Sequence, residues 1–306
     1  MKIGIVDLDT SHPQHWIPIL RSLGHEVVGV WDGGDVHPQG YAEEFARTHA
    51  VPQVFDRMEA AVDAVDGVIL HGCDWDLHVS KARPFVEAGK AVLVDKPMAG
   101  RPRDLEQLLA WGDSGARVYG GSSLRFCLEA RQWLALPVEE RGTPHTVFAG
   151  CGVDEFNYGI HGYALLSAFM GAGIQSVRHV DGRGQRRVEV EWRDGCIGIL
   201  AVGAAAQWLP FHASVVTEKA VFQCQPDSAQ LYRALLEAVI PYLSGECETP
   251  PLPLRTLLEP EWCALAARKS WMENNRRVTI AELAGNTDGY DGAAFAQSYR
   301  KSRYGG

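Results

Sequence analysis

The sequence lacks the features expected of a secreted, membrane-spanning or nucleic-acid-binding protein. Its seven cysteines include no C-x-x-C pair, which argues against a disulfide framework and against a zinc knuckle. No apolar run approaches the roughly 20 residues of a membrane span, and the first residues carry no basic, cleavable leader. A formal net charge of -9 disfavours contact with nucleic-acid phosphates. These absences predict a cytoplasmic protein that binds a small molecule, with no nucleic acid and no membrane.

The first part of the chain alternates short apolar runs with segments of helical periodicity. With 306 residues and 46% apolar content, the chain is long enough for two domains with large cores. Strand-like runs fall at residues 2–6, 26–31, 67–71, 91–94 and 116–119. Strands that alternate with helices imply right-handed crossovers and a parallel sheet. Residues 1–122 are therefore predicted to form a Rossmann-like, doubly wound α/β domain.

The second part, residues 123–306, has a different pattern. Strand-like segments at 146–149, 176–179, 187–192, 196–202 and 213–224 follow one another, with Asp-Gly turns at 181–182 and 194–195. Helices are predicted at 229–243 and 260–273, and a Gly- and Asp-rich tail from 282 is predicted to be poorly ordered or packed on a neighbour. This pattern predicts an α+β domain with a mostly antiparallel open sheet. Its free face favours a homodimer or homotetramer.

Polar residues gather where the predicted strands end. Ligands of doubly wound sheets bind outside the carboxyl ends of the strands, so these residues are the first candidates for a site. They are Asp7, Asp9, His12, Asp32, His71, Asp74, Asp95 and Lys96. Two alternatives remain open. The Asp and Ser residues of such loops often cap the following helices. Alternatively, five of these residues, Asp7, Asp9, His12, His71 and Asp74, would hold a divalent metal in a lyase or hydrolase, although no spacing here is diagnostic.

Three segments resemble the Gfo/Idh/MocA oxidoreductases. They are residues 65–99, which run through His78 to an Asp-Lys-Pro sequence where the family has Glu-Lys-Pro, and residues 120–126 and 158–162. The Leu-Asp-Thr-Ser-His and Gly-Ile-His-Gly segments at 8–12 and 159–162 further resemble a distinct subgroup. The resemblance implies a Rossmann-like fold and an NAD(P)-dependent oxidoreductase that acts on a sugar or polyol hydroxyl, hence a carbohydrate-like small-molecule substrate.

The resemblance also implies which residues act on the substrate. The family lysine and histidine that lie near the reacting carbon correspond by position to Lys96 and His161. An imidazole can relay the hydroxyl proton and an ammonium can stabilise a developing alkoxide. Asn157 stands where the family has an aspartate, so it would position a hydroxyl but not act as a base. Arg125 and Tyr158 are predicted to bind substrate.

The cofactor loop departs from the family pattern. Glycines normally let the backbone approach the pyrophosphate, but their three places hold Asp7, Asp9 and His12. Two carboxylates there should repel a diphosphate, so weak or shifted NAD(H) binding is predicted. The resemblance nevertheless assigns NAD or NADP to residues Asp7, Asp9, Thr10, Ser11, His12, Asp32, His71, Asp74 and His78. The rival interpretation is a non-catalytic ligand-binding or sensor homologue that has lost cofactor binding.

Overall fold

The chain divides into two compact units in the computed structural model, which describes residues 1–180 and 184–305. The first unit comprises Met1–Gly121, Leu236–Leu254 and Asp291–Gly306, and the second comprises Ser122–Leu235 and Arg255–Tyr290. The sequence analysis placed every residue after 122 in the second domain. Two later segments instead belong to the first unit, because a helix that packs on a distant sheet carries no mark of that partner in its own periodicity.

The first unit is built on a six-stranded sheet with the order β3-β2-β1-β4-β5-β6. Each adjacent pair is parallel, as predicted for a doubly wound fold. Every residue of β4 and β5 is buried, as expected for central parallel strands covered on both faces. The strands are β1 (Lys2–Val6), β2 (Glu26–Trp31), β3 (Gln53–Val54), β4 (Gly67–Leu70), β5 (Ala91–Val94) and β6 (Val118–Gly120).

The helices of this part of the chain connect the strands and place the candidate site. They are α1 (His12–Ser22), α2 (Tyr41–Thr48), α3 (His78–Glu87) and α4 (Pro102–Asp113). The winding direction reverses between β1 and β4, which makes their carboxyl ends the switch point where such sheets bind ligands. The loops that follow β1, β2, β4 and β5 all open at this edge.

The second unit contains a seven-stranded sheet with the order β12-β11-β7-β10-β9-β8-β13. The pairing is antiparallel except between β7 and β10. Helices α7 and α10 contact the sheet. Helix α8 (Leu231–Ser244) begins in the second unit and continues from Leu236 in the first. The other elements along this part of the chain are α5 (Leu128–Leu134), α6 (Val138–Arg141), β7 (Pro144–Gly150), α7 (Gly159–Met170), β8 (Ile174–Val180), β9 (Arg186–Trp192), β10 (Ile197–Val202), β11 (His212–Thr217), β12 (Val221–Cys224), α9 (Leu254–Leu257), α10 (Glu259–Met272) and β13 (Val278–Thr279).

Two details of this sheet differ from the sequence prediction. The single strand predicted over 213–224 is a hairpin, because Thr217 N donates to the Ala220 carbonyl at 2.9 Å and reverses the chain between β11 and β12. The Asp-Gly turn predicted at 181–182 lies outside the described residues, whereas the turn at 194–195 joins β9 to β10. One sheet face exposes apolar side chains, among them Phe148, Ile197 and Val221.

The tail predicted to be poorly ordered contains a helix, α11 (Gly292–Tyr304), which belongs to the first unit. The Asp291 carboxylate accepts a hydrogen bond from Ala294 N at 2.8 Å and caps the start of α11. Lys301 and Arg303 lie in its last turn, where positive charge favours a helix. The Gly- and Asp-rich stretch that precedes α11 concealed its apolar face. Over the described residues, no helix has the length and apolar character needed to cross a bilayer.

Candidate active site

The first turn after β1 is shaped around the side chain of Asp7. Asp7 has a φ of 65°, a left-handed conformation that glycine adopts most readily. Its carboxylate accepts a hydrogen bond from Gly33 N at 3.2 Å. A Cβ atom on Gly72 would lie 2.8 Å from Asp7 Oδ2. The glycines that make room in this turn are therefore at positions 33 and 72, and the space they leave is filled by a carboxylate.

Lys81 of α3 neutralises that carboxylate. Its Nζ lies 2.6 Å from Asp7 Oδ2 and 3.4 Å from Asp35 Oδ2. Burial alone would lower the pKa of Lys81, but the facing Asp7 carboxylate raises it above its ordinary value. The sequence analysis missed Lys81, and the repulsion it expected from Asp7 is reduced by this ion pair. The only sequence signal was a lysine on the same helix face as His78, three residues away.

Asp9 and Asp32 connect the loops at the strand ends. Asp9 Oδ2 accepts a hydrogen bond from Cys73 N at 2.7 Å, and Asp32 Oδ1 accepts one from Leu8 N at 3.2 Å. Burial, followed by the charge of Asp7, raises the pKa of Asp9 from 3.8 to about 8. Burial raises the pKa of Asp32 to about 6. Asp9 is thus largely protonated at neutral pH, and both side chains tie the β1 loop to its neighbours.

The raised pKa of Asp9 makes stability depend on pH. Because the folded protein holds this proton more tightly than the unfolded chain does, Asp9 costs stability as the pH rises from about 4 to about 8. Asp9→Asn should remove that cost. The free energy of unfolding of Asp9→Asn minus that of the wild type should therefore be about 1–3 kcal/mol larger at pH 9 than at pH 5. Urea unfolding at both pH values measures this. The exposed Asp63→Asn is the control, and a gain that is the same at both pH values would contradict the prediction.

Three residues predicted to contact the cofactor, His78, Asp74 and Thr10, bind the protein's own backbone, and a fourth, Ser11, lies at a helix start. His78 is fully buried, with Nε2 3.0 Å from the Gly72 carbonyl and Nδ1 3.2 Å from the Met98 carbonyl. The Asp74 carboxylate accepts a hydrogen bond from Asp76 N and caps a short 3-10 turn. Thr10 Oγ1 accepts from His12 N at 3.1 Å, and Ser11 stands at the N-cap position of α1 without a side-chain cap bond. Their assignment to the cofactor stays a prediction, and the bonds show what three of these side chains do for the local backbone.

The start of α1 is a poor anion site. A dinucleotide fold normally presents free backbone N–H groups of this helix to the pyrophosphate. Here the N–H of His12 is bonded to Thr10, and Pro13, which follows it, has no N–H to offer. The helix thus keeps its favourable dipole but presents fewer donors than a glycine-rich loop would.

A carboxylate bridges two imidazoles at the ends of β4 and β5. Asp95 Oδ2 lies 2.5 Å from His12 Nδ1 and 2.8 Å from His71 Nδ1. Burial alone would raise the pKa of Asp95, but the hydrogen bonds and charge of the two imidazoles hold it well below its ordinary value. Burial lowers the pKa of His71 from its ordinary value, against the opposing effect of the Asp95 carboxylate. The indole of Trp16 stacks on His12, with ring centroids 5.8 Å apart.

The same cluster brings together three groups of the kind that bind metal ions. The ligand atoms of His12, His71 and Asp95 lie within 4.8 Å of one another. Asp95 Oδ2 also lies within hydrogen-bond distance of both imidazole Nδ1 atoms. The five-residue metal set considered from the sequence is not assembled, because Asp7, Asp9 and Asp74 are engaged elsewhere.

Lys96 follows the bridging carboxylate directly. It is buried, and its backbone N–H donates to Asp95 Oδ1 at 2.7 Å. The Lys96–Pro97 peptide is cis. Lys96 thus directly follows, along the chain, the carboxylate that bridges His12 and His71.

In the second unit, His161 begins α7 and is buried against aromatic rings. Its Nδ1 lies 2.7 Å from Ser122 Oγ, and the rings of Tyr158 and Phe211 lie 5.6 and 5.1 Å from its ring. Arg125, which is predicted to bind substrate, donates from one guanidinium nitrogen to the Ser167 carbonyl at 2.7 Å. Asn157 directly precedes Tyr158 at the start of the helix.

Helix α11 lies across the carboxyl edge of the first sheet. Ala296 packs with Val36, which follows β2, and with Cys73, which follows β4. Phe295 packs on Trp75 at a ring distance of 5.0 Å. Because β1 lies between β2 and β4, α11 spans the switch point. A dinucleotide in the usual extended pose would pass through this space, so the residues present do not fit that pose while α11 is docked.

The sequence of the first unit is similar to that of known proteins. Residues 1–119 match the model of the GFO_IDH_MocA family, described as an oxidoreductase family with an NAD-binding Rossmann fold. Over these residues the chain is similar to that family. YceM of Salmonella typhimurium, named as an oxidoreductase, is 29% identical over 111 residues, which cover 36% of this chain and 34% of that relative. The match thus spans about a third of that relative's length.

Solved structures extend the likeness to the second unit. A dehydrogenase from Thermotoga maritima is similar with a TM-score of 0.79 and 15% identity, over 92% of this chain and 100% of that chain. Myo-inositol dehydrogenase from Lactobacillus casei, in complex with NAD(H) and myo-inositol, is similar with a TM-score of 0.74 and 16% identity, over 91% and 96%. At these identities the likeness establishes the fold.

Proposed function

We propose that the protein is an oxidoreductase that oxidises a hydroxyl of a sugar or polyol, with NAD or NADP as the hydride acceptor. The family match of residues 1–119 supports the cofactor class, and the likeness to a myo-inositol dehydrogenase supports the substrate class. The observation that carries the proposal is the cluster at the end of β5, where Lys96 adjoins the carboxylate that bridges His12 and His71.

Oxidation of a hydroxyl removes a proton as well as a hydride, and the cluster suits the proton. Asp95 holds the Nδ1 edge of His12, which directs the Nε2 edge away from the carboxylate and stabilises the ring when it gains a proton. The Lys96 ammonium would stabilise the developing alkoxide. His161 stays the second predicted group at the reacting carbon, with Asn157 and Tyr158 as substrate contacts. The roles proposed for this chain are limited to protons and hydroxyl groups.

An assay of nicotinamide reduction tests the proposal. The wild-type protein is incubated with NAD⁺ or NADP⁺ and with a panel of inositols, linear polyols and aldoses, and the absorbance of reduced nicotinamide is followed. Lys96→Met should lower kcat by about 10- to 100-fold, because the alkoxide loses its ammonium. Lys2→Met, at an exposed position on β1, is the control. No reduction with any member of the panel, or equal activity of the two variants, would defeat the proposal.

A second candidate is a non-catalytic, ligand-binding homologue. The docked position of α11 favours it, because the helix fills space that a dinucleotide needs. A protein of this kind would bind a carbohydrate-like ligand with a measurable affinity and would give no reduced nicotinamide under any condition of the same assay.

We also propose that the protein is a homodimer or homotetramer. The sheet of the second unit exposes Phe148, Ile197 and Val221, with exposed fractions of 47%, 38% and 62%. A second copy would remove this apolar surface from water. Light scattering that shows a monomer at micromolar concentration would exclude this assembly.

A further inference from the structure

We propose that α11 is an internal competitor for the nucleotide groove, so that an adenosine dinucleotide binds only when α11 has left it. The inference rests on the proposed function for the identity of the ligand. Its basis is a disagreement between two observations: residues 1–119 match the model of a family with an NAD-binding Rossmann fold, yet the last helix of the same unit crosses the switch point.

Helix α11 contacts the loops on both sides of the groove, one after β2 and one after β4. At the loop after β2, Arg300 donates to the Gly34 carbonyl at 3.0 Å, and Tyr304 Oη lies 2.5 Å from His37 Nδ1. His37 Nε2 in turn lies 2.9 Å from the Leu8 carbonyl in the β1 loop. A single imidazole thus couples the end of α11 to the turn that replaces the glycine-rich loop.

At the loop after β4, the first residue of α11 is closely packed. Gly292 N donates to Asp76 Oδ2 at 3.2 Å. A Cβ atom on Gly292 would come within 2.5 Å of Asp74 Oδ1 and 2.8 Å of Trp75 N. Only glycine fits this contact, so the helix is fitted to the loop and does not merely lie near it. This gives Asp74 a role that the sequence analysis did not foresee.

The helix is attached in a way that permits it to leave. Residues 286–291, which precede it, form no helix or strand. The face of α11 that is turned away from the groove is exposed, including Gln297 and Ser298. A tethered segment competes at a high effective concentration, so the apparent affinity for a ligand falls in proportion to the fraction of molecules in which the groove is open.

One variant loosens the helix without weakening it as a helix. Gly292→Ala adds the methyl group that clashes with the Asp74 loop, while alanine is the better helix former. The dissociation constants of NADH and of ADP-ribose, measured by calorimetry, should both fall by about tenfold or more. Ser298→Ala, on the exposed face, should leave both unchanged.

A second variant fixes the helix in place. Cys73 is a free thiol that packs with Ala296, so Ala296→Cys would allow a disulfide between α11 and the β4 loop after oxidation with diamide. The oxidised variant should lose binding of both probes, and dithiothreitol should restore it. Ala296→Cys combined with Cys73→Ser cannot form this bond and should not respond to diamide.

The outcomes separate this inference from the proposed function. Equal affinities for the wild type and Gly292→Ala, or nucleotide binding to the oxidised Ala296→Cys variant, would overturn the competitor role. Tighter ADP-ribose binding by Gly292→Ala with no oxidation of any polyol supports the competitor role and rejects the proposed function. Turnover by the oxidised Ala296→Cys variant at the wild-type level would keep the proposed function and reject the competitor role.

Discussion

Lys81→Met should destabilise the first unit by about 3–5 kcal/mol. The substitution keeps most of the side-chain volume but leaves the buried Asp7 carboxylate without the ammonium that lies 2.6 Å away. Asp7 is 1% exposed and Lys81 is 8% exposed, so water cannot replace the lost partner. Urea unfolding at neutral pH, followed by tryptophan fluorescence, measures the change, because Trp31 lies 5.6 Å from Lys81 Nζ.

Two further variants isolate the cause. Arg83→Met removes a cation from the same helix, but that cation is exposed and its pair with Glu87 spans 3.8 Å, so the cost should be below about 1 kcal/mol. Lys81→Met combined with Asp7→Asn should be more stable than Lys81→Met alone, because no uncompensated charge remains and asparagine tolerates a positive φ. If Lys81→Met cost no more than Arg83→Met, the ion pair would not be the element that holds the Asp7 turn.

The strand ends were accessible from the sequence for a simple physical reason. Buried parallel strands read as short apolar runs, and the first polar residues after such runs must lie at one edge of the sheet. His12 and His71 were singled out on this ground, and the structure joins both to Asp95. The chemical roles of these residues stay predictions.

The partners of those residues were not accessible. Whether Lys81 reaches Asp7 depends on how α3 is rotated against the sheet, and a lysine after a buried face reads as a solvated charge. Likewise, α11 has a narrow apolar face that contains Phe295, Ala296 and Tyr299, and no local pattern reports that this face packs on loops more than 200 residues earlier. The repulsion predicted for a diphosphate at the first turn was therefore too large, since the prediction counted Asp7 and Asp9 but not the cation that pairs with Asp7.

The replacement of glycine by aspartate in the first turn has a physical explanation. A glycine-rich loop leaves space and free N–H groups for a diphosphate. In this chain the equivalent volume holds an anion of its own, Asp7, and a cation that matches it, Lys81. Lys81 thus balances the charge of Asp7. When α11 is displaced, the open groove should therefore repel a nucleotide less than it would if both aspartates lacked a cationic partner.

His12→Gly should lower kcat for polyol oxidation by about 10²- to 10⁴-fold. The proposed role of the His12 ring is to take the hydroxyl proton, and removal of a positioned acid–base group has effects of this size. Asp95 fixes the ring through Nδ1 at 2.5 Å, and Trp16 stacks against it, so its orientation is set before substrate arrives. The exposed His15→Gly, one turn further along α1, is the matched control and should stay near wild-type activity.

Chemical rescue distinguishes proton transfer from a structural role of this ring. Added imidazole can enter the space left by His12→Gly and accept the proton, so activity should recover with increasing imidazole concentration, whereas a merely misfolded site would not respond. Asp95→Asn provides the complementary case. It keeps the His12 ring but replaces the carboxylate that stabilises its protonated form, so kcat should fall and added imidazole should not restore it. Rescue of neither variant, with both folded, would remove His12 from the proton path and leave the cluster as a structural link between β4, β5 and α1.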